Sequence, residues 1–350
     1  MKRVYLKGYL YFNLGDDLFF QIIANRYKNV KFISLTKFDY NIAKNIKFIN
    51  YNKIKFVDRL IKLFSLKNKS VESLLIRKSD IVVLIGGSMF IENSSTYPKD
   101  LFSKSKKYYI LGSNFGPYKT DLFFNKYKNI FSNAHDVCFR DRYSFNLFKE
   151  LPNVRTASDI VFSLDFDNIN IINEKRVIIS VIDVSKRFGN DVKCEYIKKI
   201  VDFIKLFTEK KYFITLMSFC KYEGDENMIN DILSCTDEKV DTYFYNGNIK
   251  EALEILEKSQ VIVGTRFHAN ILGLVMKKTI IPIAYSDKTI NTLNDIGFDG
   301  KIFDIRDMDN FDVFSINDDD LNYKVDVSSK KDDAKRHFME LDKILNMDNN

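Results

Sequence analysis

Short runs of apolar, often β-branched residues alternate along most of the chain with stretches of helical periodicity. The run Ile81–Ile85 reads Ile-Val-Val-Leu-Ile, and Val261–Gly264 and Thr279–Ala284 are similar. Continuous apolar runs of this length are typical of strands that are buried on both faces. Their alternation with helices indicates βαβ units and a parallel sheet. The pattern therefore predicts an α/β protein.

A polar, Asn-rich stretch between Asp165 and Lys175 interrupts the alternation. Because 350 residues exceed what one ordinary core supports, we expect two domains joined at this point. The layout resembles that of GT-B proteins, in which two Rossmann-like domains face a cleft. The expected bounds are 1–168 and 169–325, followed by a helical tail over 326–350. The apolar spacing of that tail would allow it to pack back on the first domain.

The formal net charge of +7 is unevenly distributed. Residues 1–170 contain 28 Lys and Arg against 15 Asp and Glu, whereas residues 171–350 contain 26 against 32. A basic N-terminal half is compatible with an anionic membrane surface or an anionic acceptor, and a solvated Lys-rich surface is the alternative. Nucleic acid is disfavoured because the lysines are scattered and no reader motif is present.

The cysteine and histidine content argues against a disulfide framework or a metal centre. The four cysteines show no CxxC pairing, and the chain has three histidines. No apolar run approaches the length of a membrane span, and the N-terminus has no apolar signal region. We therefore expect a cytoplasmic protein that is at most attached to the inner face of the membrane.

The strongest candidate site follows two neighbouring apolar runs. Arg266 and His268 come directly after Val261–Gly264, and Tyr285 and Lys288 follow Thr279–Ala284. Ligands of open α/β sheets bind outside the carboxyl ends of the strands. Arg266 could grip a phosphate or carboxylate, and His268 could act as general acid or base. In the alternative interpretation, Arg266 pairs with a carboxylate of the protein and His268 caps the next helix.

A second candidate is the loop Asn13–Asp17, which follows the first predicted strand. Gly15 could bring backbone N–H groups to a ligand, and Asp16 and Asp17 could coordinate or deprotonate an acceptor hydroxyl. The compatible, structural interpretation is that Asp16 is the N-cap of the helix that follows.

Other polar groups of the first half could line the cleft. Gly86, Gly87, Ser113, Asn114 and Arg140 follow further strands, and Asp159 lies before the apolar run Val161–Leu164. Arg140 could bind an anion, with Asp159 holding it in place or touching the acceptor. A surface ion pair and ordinary glycine turns are the alternatives. A catalytic serine is disfavoured because a G-x-S-x-G elbow is absent. The aspartates between Asp304 and Asp320 are expected to form a solvated loop.

Taken in order, these motifs resemble the polysaccharide pyruvyl transferase family. The resemblance spans residues 5–300 approximately and rests on Asn13–Asp17, Gly86–Gly87, Leu111–Pro117, Arg140–Ser144, Ser158–Leu164, Thr265–Ala269 and Tyr285–Lys288. The family often has proline where this chain has Ile160.

The resemblance implies a GT-B-like enzyme that transfers pyruvate from phosphoenolpyruvate to two hydroxyls of a sugar. The product is a pyruvate ketal on a cell-surface polysaccharide or its lipid-linked precursor, and no cofactor is needed. The first domain would bind the acceptor and the second the donor. By the resemblance, Arg140, Arg266 and Lys288 would bind the donor, and His268 would be the acid/base.

Two other functions stay open at this point. The first is a GT-B glycosyltransferase that uses a nucleotide sugar, because Arg and Lys also hold a pyrophosphate. The second is a glycan-binding or assembly protein without turnover. The acceptor sugar should be recognised by the loops Tyr40–Lys69 and Glu92–Lys107. The sequence does not identify that sugar or the oligomeric state.

Overall fold

The chain divides into two compact units. The computed structural model describes residues 2–64, 70–92, 97–103, 106–166 and 174–345. The first unit comprises residues 1–11, 16–163 and 331–350, and the second comprises 12–15 and 164–330. The second unit thus includes four residues from the N-terminal region, which a purely sequential division does not anticipate. Parts of the expected linker (167–173) and acceptor loops (65–69, 93–96 and 104–105) lie outside the described residues.

The described part of the first unit contains a parallel sheet of seven strands. They are β1 (Arg3–Lys7), β2 (Lys31–Thr36), β3 (Ile46–Asn50), β4 (Ile81–Ile85), β5 (Lys107–Ser113), β6 (Asp136–Phe139) and β7 (Val154–Thr156). Their order is β3-β2-β1-β4-β5-β6-β7. The central strand β4 is buried at every residue, as its apolar run predicts. The sequence did not predict β3, an edge strand that mixes apolar and polar residues, or the three-residue β7.

Helices connect these strands: α1 (Leu14–Arg26), α2 (Tyr51–Phe64), α3 (Val71–Lys78), α4 (Asp121–Ser132) and α5 (Arg142–Phe148). Helices α3, α4 and α5 begin with side-chain caps from Ser70, Thr120 and Asp141 respectively. Aromatic side chains fill the core under α4 and α5. Phe115 contacts Phe148 edge to face, with ring centroids 4.9 Å apart.

The second unit repeats the architecture with a parallel sheet of six strands in its described part. They are β8 (Arg176–Ser180), β9 (Phe213–Ser218), β10 (Asp241–Phe244), β11 (Val261–Gly264), β12 (Thr279–Ala284) and β13 (Phe303–Asp304), in the order β10-β9-β8-β11-β12-β13. The helices are α6 (Ser185–Glu209), α7 (Asp225–Leu233), α8 (Ile249–Lys258), α9 (Phe267–Val275), α10 (Asp287–Asp295) and α11 (Asp318–Asn322). Gly189, with φ of +88°, interrupts α6.

The aspartates between Asp304 and Asp320 are mostly exposed, as predicted, but the segment is not a loop throughout. Phe311 is buried, and its ring stacks on that of Phe303 at 4.6 Å between centroids. The segment ends in α11, which Asn317 and Asp320 start as a reciprocal capping box. The many aspartates made the segment look hydrophilic, but apolar residues recur between them and pack on the second unit.

The C-terminal segment packs on the first unit, which confirms the prediction made from its apolar spacing. It contains α12 (Ser328–Lys335) and α13 (Met339–Leu345). His337 is fully buried, where its Nδ1 accepts the N–H of Gly112 at 3.2 Å and its Nε2 lies 2.9 Å from the carbonyl oxygen of Ser158. Burial lowers the pKa of His337 to about 4. Asp342 accepts hydrogen bonds from Arg26.

Among the described residues, no helix is both long and apolar enough to span a bilayer.

Candidate functional site

In the first unit, the predicted site residues meet at the carboxyl ends of β4, β5 and β6. The hydroxyl of Ser113, at the end of β5, donates to the carbonyl of Gly86 at 2.8 Å. The N–H of Asn114 donates to the carbonyl of Gly87 at 3.0 Å. These bonds fix the loops that follow two adjacent strands against one another. The Gly86–Gly87 turn is therefore part of a rigid polar layer.

Arg140 lies across this layer. Its Nη1 donates to Oδ2 of Asp159 at 2.9 Å, and its Nη2 donates to Oδ1 of Asn114 at 2.8 Å. A methyl group added at Gly87 would lie 2.7 Å from Nη1, so only glycine leaves room for this guanidinium. The side chains of Arg140 and Asp159 are 1% and 0% exposed. Asp159 thus holds Arg140 in place, which is one of its two predicted roles.

The start of α1 differs from the prediction. The helix begins at Leu14, so Asp16 lies within its first turn and is not the N-cap. Instead Asn13 caps it, because its Oδ1 accepts the N–H of Gly15 at 3.2 Å. That N–H is consequently directed at Asn13 and does not face a ligand. Asp17 has no exposed surface, whereas Asp16 retains 9%.

Asp16 is the closer of the two carboxylates to the glycine turn of β4. A methyl group added at Gly86 would lie 3.6 Å from Oδ1 of Asp16. Acidic residues are stabilised in the first turn of a helix by its dipole. The geometry thus brings Asp16 to the polar layer of the first unit and leaves Asp17 in the interior.

In the second unit, Arg266 follows β11 and precedes α9. Its guanidinium pairs in a bidentate manner with Asp225, where Nε lies 3.0 Å from Oδ2 and Nη2 contacts Oδ1. Nη1 contacts Glu223. Burial opposes the charge of Arg266, but the two carboxylates outweigh it and raise its pKa well above the ordinary value. Arg266 is therefore fully ionised and held by the protein's own carboxylates, as the alternative interpretation anticipated.

His268 is the second residue of α9 and is 9% exposed. It packs directly against Gly15, since a methyl group there would lie 1.8 Å from Nδ1. Residues 12–15 are attached to this unit through backbone bonds: the N–H of Leu14 donates to the carbonyl of Phe219 at 2.9 Å, and the N–H of Lys221 donates to that of Phe12 at 3.1 Å. The glycine is needed for contact with the imidazole.

Tyr285, which follows β12, lies among several cations. The Nζ of Lys288 is 5.8 Å from its ring centroid, and the guanidinium carbon of Arg187 is 4.9 Å from it. Lys288 also lies 4.9 Å from the ring of Phe267, the neighbour of His268. Burial raises the pKa of Tyr285, but the charges of Lys288, Arg266 and Arg187 outweigh burial and lower it. The positive charges of Lys288 and Arg187 thus both lie against the ring of Tyr285 at this edge of the sheet.

Three of the charged residues around Arg266 and Tyr285 were not predicted from the sequence: Asp225, Glu223 and Arg187. Asp225 and Glu223 follow β9, so the expectation that ligands bind at the carboxyl ends of strands, which identified Arg266, could also have identified them. Arg187 lies in the exposed first turn of α6. No pattern in the sequence distinguishes it from other surface cations.

No group of three or more potential metal ligands occurs in the parts of the chain that the structure describes. The four cysteines are free thiols, with Cys138 and Cys220 buried.

Comparison with solved structures defines the class of fold. UDP-GlcNAc 2-epimerase from Neisseria meningitidis matches 99% of this chain and 100% of its own, with a TM-score of 0.59 and 11% identity. The corresponding Methanocaldococcus jannaschii enzyme matches 98% and 100%, with a TM-score of 0.57 and 11% identity. The wall teichoic acid polymerase TagF matches 99% and 88%, with a TM-score of 0.52 and 12% identity. The fold is therefore GT-B-like.

Comparison of sequences identifies the family. The profile of the polysaccharide pyruvyl transferases matches residues 13–287, so the chain belongs to that family and the resemblance is confirmed. The amylovoran biosynthesis protein AmsJ of Erwinia amylovora is 23% identical over 266 residues. This match covers 67% of the chain and 63% of AmsJ. The chain thus spans less than two thirds of the length of this curated relative.

Proposed function

We propose that this protein transfers pyruvate from phosphoenolpyruvate to a hydroxyl pair of a sugar, forming a ketal on a cell-surface polysaccharide or its lipid-linked precursor. Membership of the family supports the reaction class, and the relative AmsJ, by its name, acts in the biosynthesis of one such polysaccharide. The observation that carries the donor assignment is the cation cluster around Tyr285, close to the segment that holds His268.

The donor requires such a cluster. Phosphoenolpyruvate carries about three negative charges on few atoms, and charge-assisted hydrogen bonds are the contacts that hold such groups. Lys288 and the exposed Arg187 supply positive charge at the surface of the second unit. Arg266 is already oriented by Asp225, so its remaining N–H groups would meet the donor without reorganisation. The sequence assignment of Arg266 and Lys288 to the donor is thereby extended to Arg187. Arg140, which the resemblance also placed at the donor, is 1% exposed and paired with Asp159, so we do not assign it to donor binding.

The reaction then needs a proton donor. An imidazolium at His268 protonates the methylene carbon of the enol, and the cationic carbon that results is attacked by one sugar hydroxyl. The carbon–oxygen bond to phosphate breaks, and the second hydroxyl closes the ketal at the same carbon. The two hydroxyl protons restore the imidazolium and leave with phosphate, so the equation balances without a cofactor. Proton transfer of this kind contributes about 10²–10⁴ in rate.

On the acceptor side, we assign the hydroxyl-activating role to Asp16 and not to Asp17, because Asp17 has no exposed surface. Gly86, Gly87, Ser113 and Asn114 would form the adjoining wall, with Arg140 and Asp159 bracing it from within.

The test is incubation of the protein with phosphoenolpyruvate and a panel of soluble and lipid-linked glycans. Phosphate release that depends on the acceptor, together with a glycan whose mass has gained a pyruvate ketal, is the expected result. A folded protein that releases no phosphate with any acceptor would contradict the proposal.

A thermal-shift series separates this function from a nucleotide-sugar glycosyltransferase. The pyruvyl transferase should be stabilised by phosphoenolpyruvate, whereas stabilisation by a nucleoside diphosphate alone would favour the glycosyltransferase.

A further inference from the structure

Helix α2 is attached to the first unit by one side. Asp58 is 1% exposed, and its Oδ1 accepts the N–H of Val71 at 2.8 Å while its Oδ2 accepts the hydroxyl of Tyr51 at 3.0 Å. These two bonds fix the rotation of the helix about its axis, because they hold Asp58 and Tyr51 inward.

The opposite side of α2 carries large apolar side chains. Phe56 is 71% exposed, Leu60 37% and Leu63 76%. The spacing i, i+4 and i+7 places them on one face, and at about 100° per residue Phe56 and Leu60 lie nearly opposite Asp58. Exposed apolar stripes on a helix mark sites of interaction, since soluble surfaces seldom leave such groups together in water.

Basic residues flank this stripe. The helix contains Lys53, Lys55, Arg59 and Lys62 against the single acid Asp58. Lys53 pairs with Asp39, but neither Lys55 nor Arg59 has a carboxylate partner among the described residues. The surrounding segment, residues 28–64, contains nine Lys and Arg against two Asp. The apolar face therefore belongs to a segment whose net charge is strongly positive.

From this arrangement we propose that α2 docks the first unit on an anionic lipid surface, with Phe56, Leu60 and Leu63 inserted at the level of the headgroups. An apolar stripe with Lys and Arg beside it is the composition of helices that lie in a membrane interface. A second copy of this chain fits the surface less well, because a symmetric contact would bring the same positive flanks together. The charge complement of the surface is an acidic headgroup.

Flotation with vesicles tests the proposal. The wild-type protein should float with phosphatidylcholine–phosphatidylglycerol vesicles in equal proportion and not with phosphatidylcholine alone, and added salt should weaken binding. The double variant Phe56→Gln/Leu63→Gln should bind at least about tenfold more weakly. Lys55→Gln/Arg59→Gln should weaken binding about fivefold for each charge removed.

The matched control is Leu122→Gln on α4 of the same unit, because Leu122 is 82% exposed and lies outside the proposed surface. It should float like the wild type. Thermal unfolding should be unchanged in all variants, since the altered side chains face solvent. The proposal is overturned if the wild type ignores the acidic vesicles. Equal losses in Leu122→Gln and the α2 variant, or a dimer that dissociates in the α2 variant without any vesicle binding, would also overturn it.

Discussion

Each unit of the molecule holds a buried arginine–carboxylate pair at the carboxyl ends of its strands, yet the two pairs have different surroundings. Arg140 is 1% exposed and is bonded to Asp159 and to the amide of Asn114. Arg266 is 11% exposed and is held by Asp225 and Glu223, while Lys288 and Arg187 lie against the ring of Tyr285 at the same edge of the sheet. The first pair braces loops, whereas the second stands next to cations at the surface.

The difference shows how one residue type serves two purposes. A guanidinium whose charge is matched inside the protein stabilises the position of its neighbours and contributes little field outside. Arg266 is itself matched by two carboxylates, so the positive potential that a ligand can use at its edge of the sheet comes from Lys288 and Arg187, which lie against the ring of Tyr285 and help to lower its pKa. The first unit therefore supplies shape at its sheet edge, and the second supplies charge.

The strongest test of this contrast compares two histidines. His268→Gln should lower turnover about 10²–10⁴-fold, because the proposed proton donor is lost. The control His135→Gln changes an exposed residue of the first unit and should leave turnover as it is. Steady-state phosphate release measures both. Wild-type turnover in His268→Gln would remove the imidazole from the proposed mechanism.

The two ion pairs should differ in stability when their carboxylates are neutralised. Asp159→Asn leaves Arg140 buried without its matching charge and should cost about 3–5 kcal/mol of unfolding free energy. Asp225→Asn should cost less, because Glu223 still contacts Arg266, whose side chain is 11% exposed against 1% for that of Arg140. Urea unfolding gives both values. The reverse order would show that the pair of the second unit is the more structural one.

The free energy of unfolding should depend on pH because of the buried His337 of the first unit. The pKa of His337 is about 4 in the folded protein, below the ordinary 6.5, so unfolding takes up a proton once the pH falls below 6.5. Stability from this group is complete above pH 6.5 and declines towards pH 4, with about 2 kcal/mol lost by pH 5. The measurement is urea unfolding at pH 7 and pH 5.

His337→Gln is the matched variant, because its side chain does not titrate in this range. The difference between the two pH values should be smaller in the variant than in the wild type by about that amount. An identical pH dependence in both proteins would contradict the assignment.

The smallest effect is expected at the surface cations. Lys288→Gln and Arg187→Gln should each raise the KM for phosphoenolpyruvate about tenfold, through the loss of one charge-assisted contact. Unfolding free energies should change by less than about 0.5 kcal/mol, since neither residue is buried. Lys186→Gln, an exposed neighbour of Arg187, serves as the control. If Arg187→Gln matches that control in KM, the extension of the donor site to Arg187 fails.

How far the sequence predicts this molecule depends on burial. The runs that became β4, β11 and β12 were recognised because strands buried on both faces are apolar throughout. The edge strand β3 and helix α2 were not recognised, since each has only one side to bury. In β3, polar and apolar side chains are mixed. In α2, large apolar side chains lie on the exposed face of the helix.

The candidate site follows the same logic. Arg140 and Arg266 were identified because each follows an apolar run, and Asp159 was proposed as a partner of Arg140. The position of Arg266 after a strand could not predict that its guanidinium pairs with Asp225, because the two residues are 41 positions apart in the sequence. Contacts across the sheet are set by packing and leave no local pattern.

The C-terminal segment has a consequence for synthesis. Asp333, His337 and Asp342 bind residues of the first unit that were translated long before them. While residues 164–330 are being synthesised, the first unit lacks its C-terminal segment, and the surface on which that segment packs is uncovered. The second unit, by contrast, has all but four of its residues in one continuous stretch. The order of translation is thus opposed to the order in which the two halves become complete.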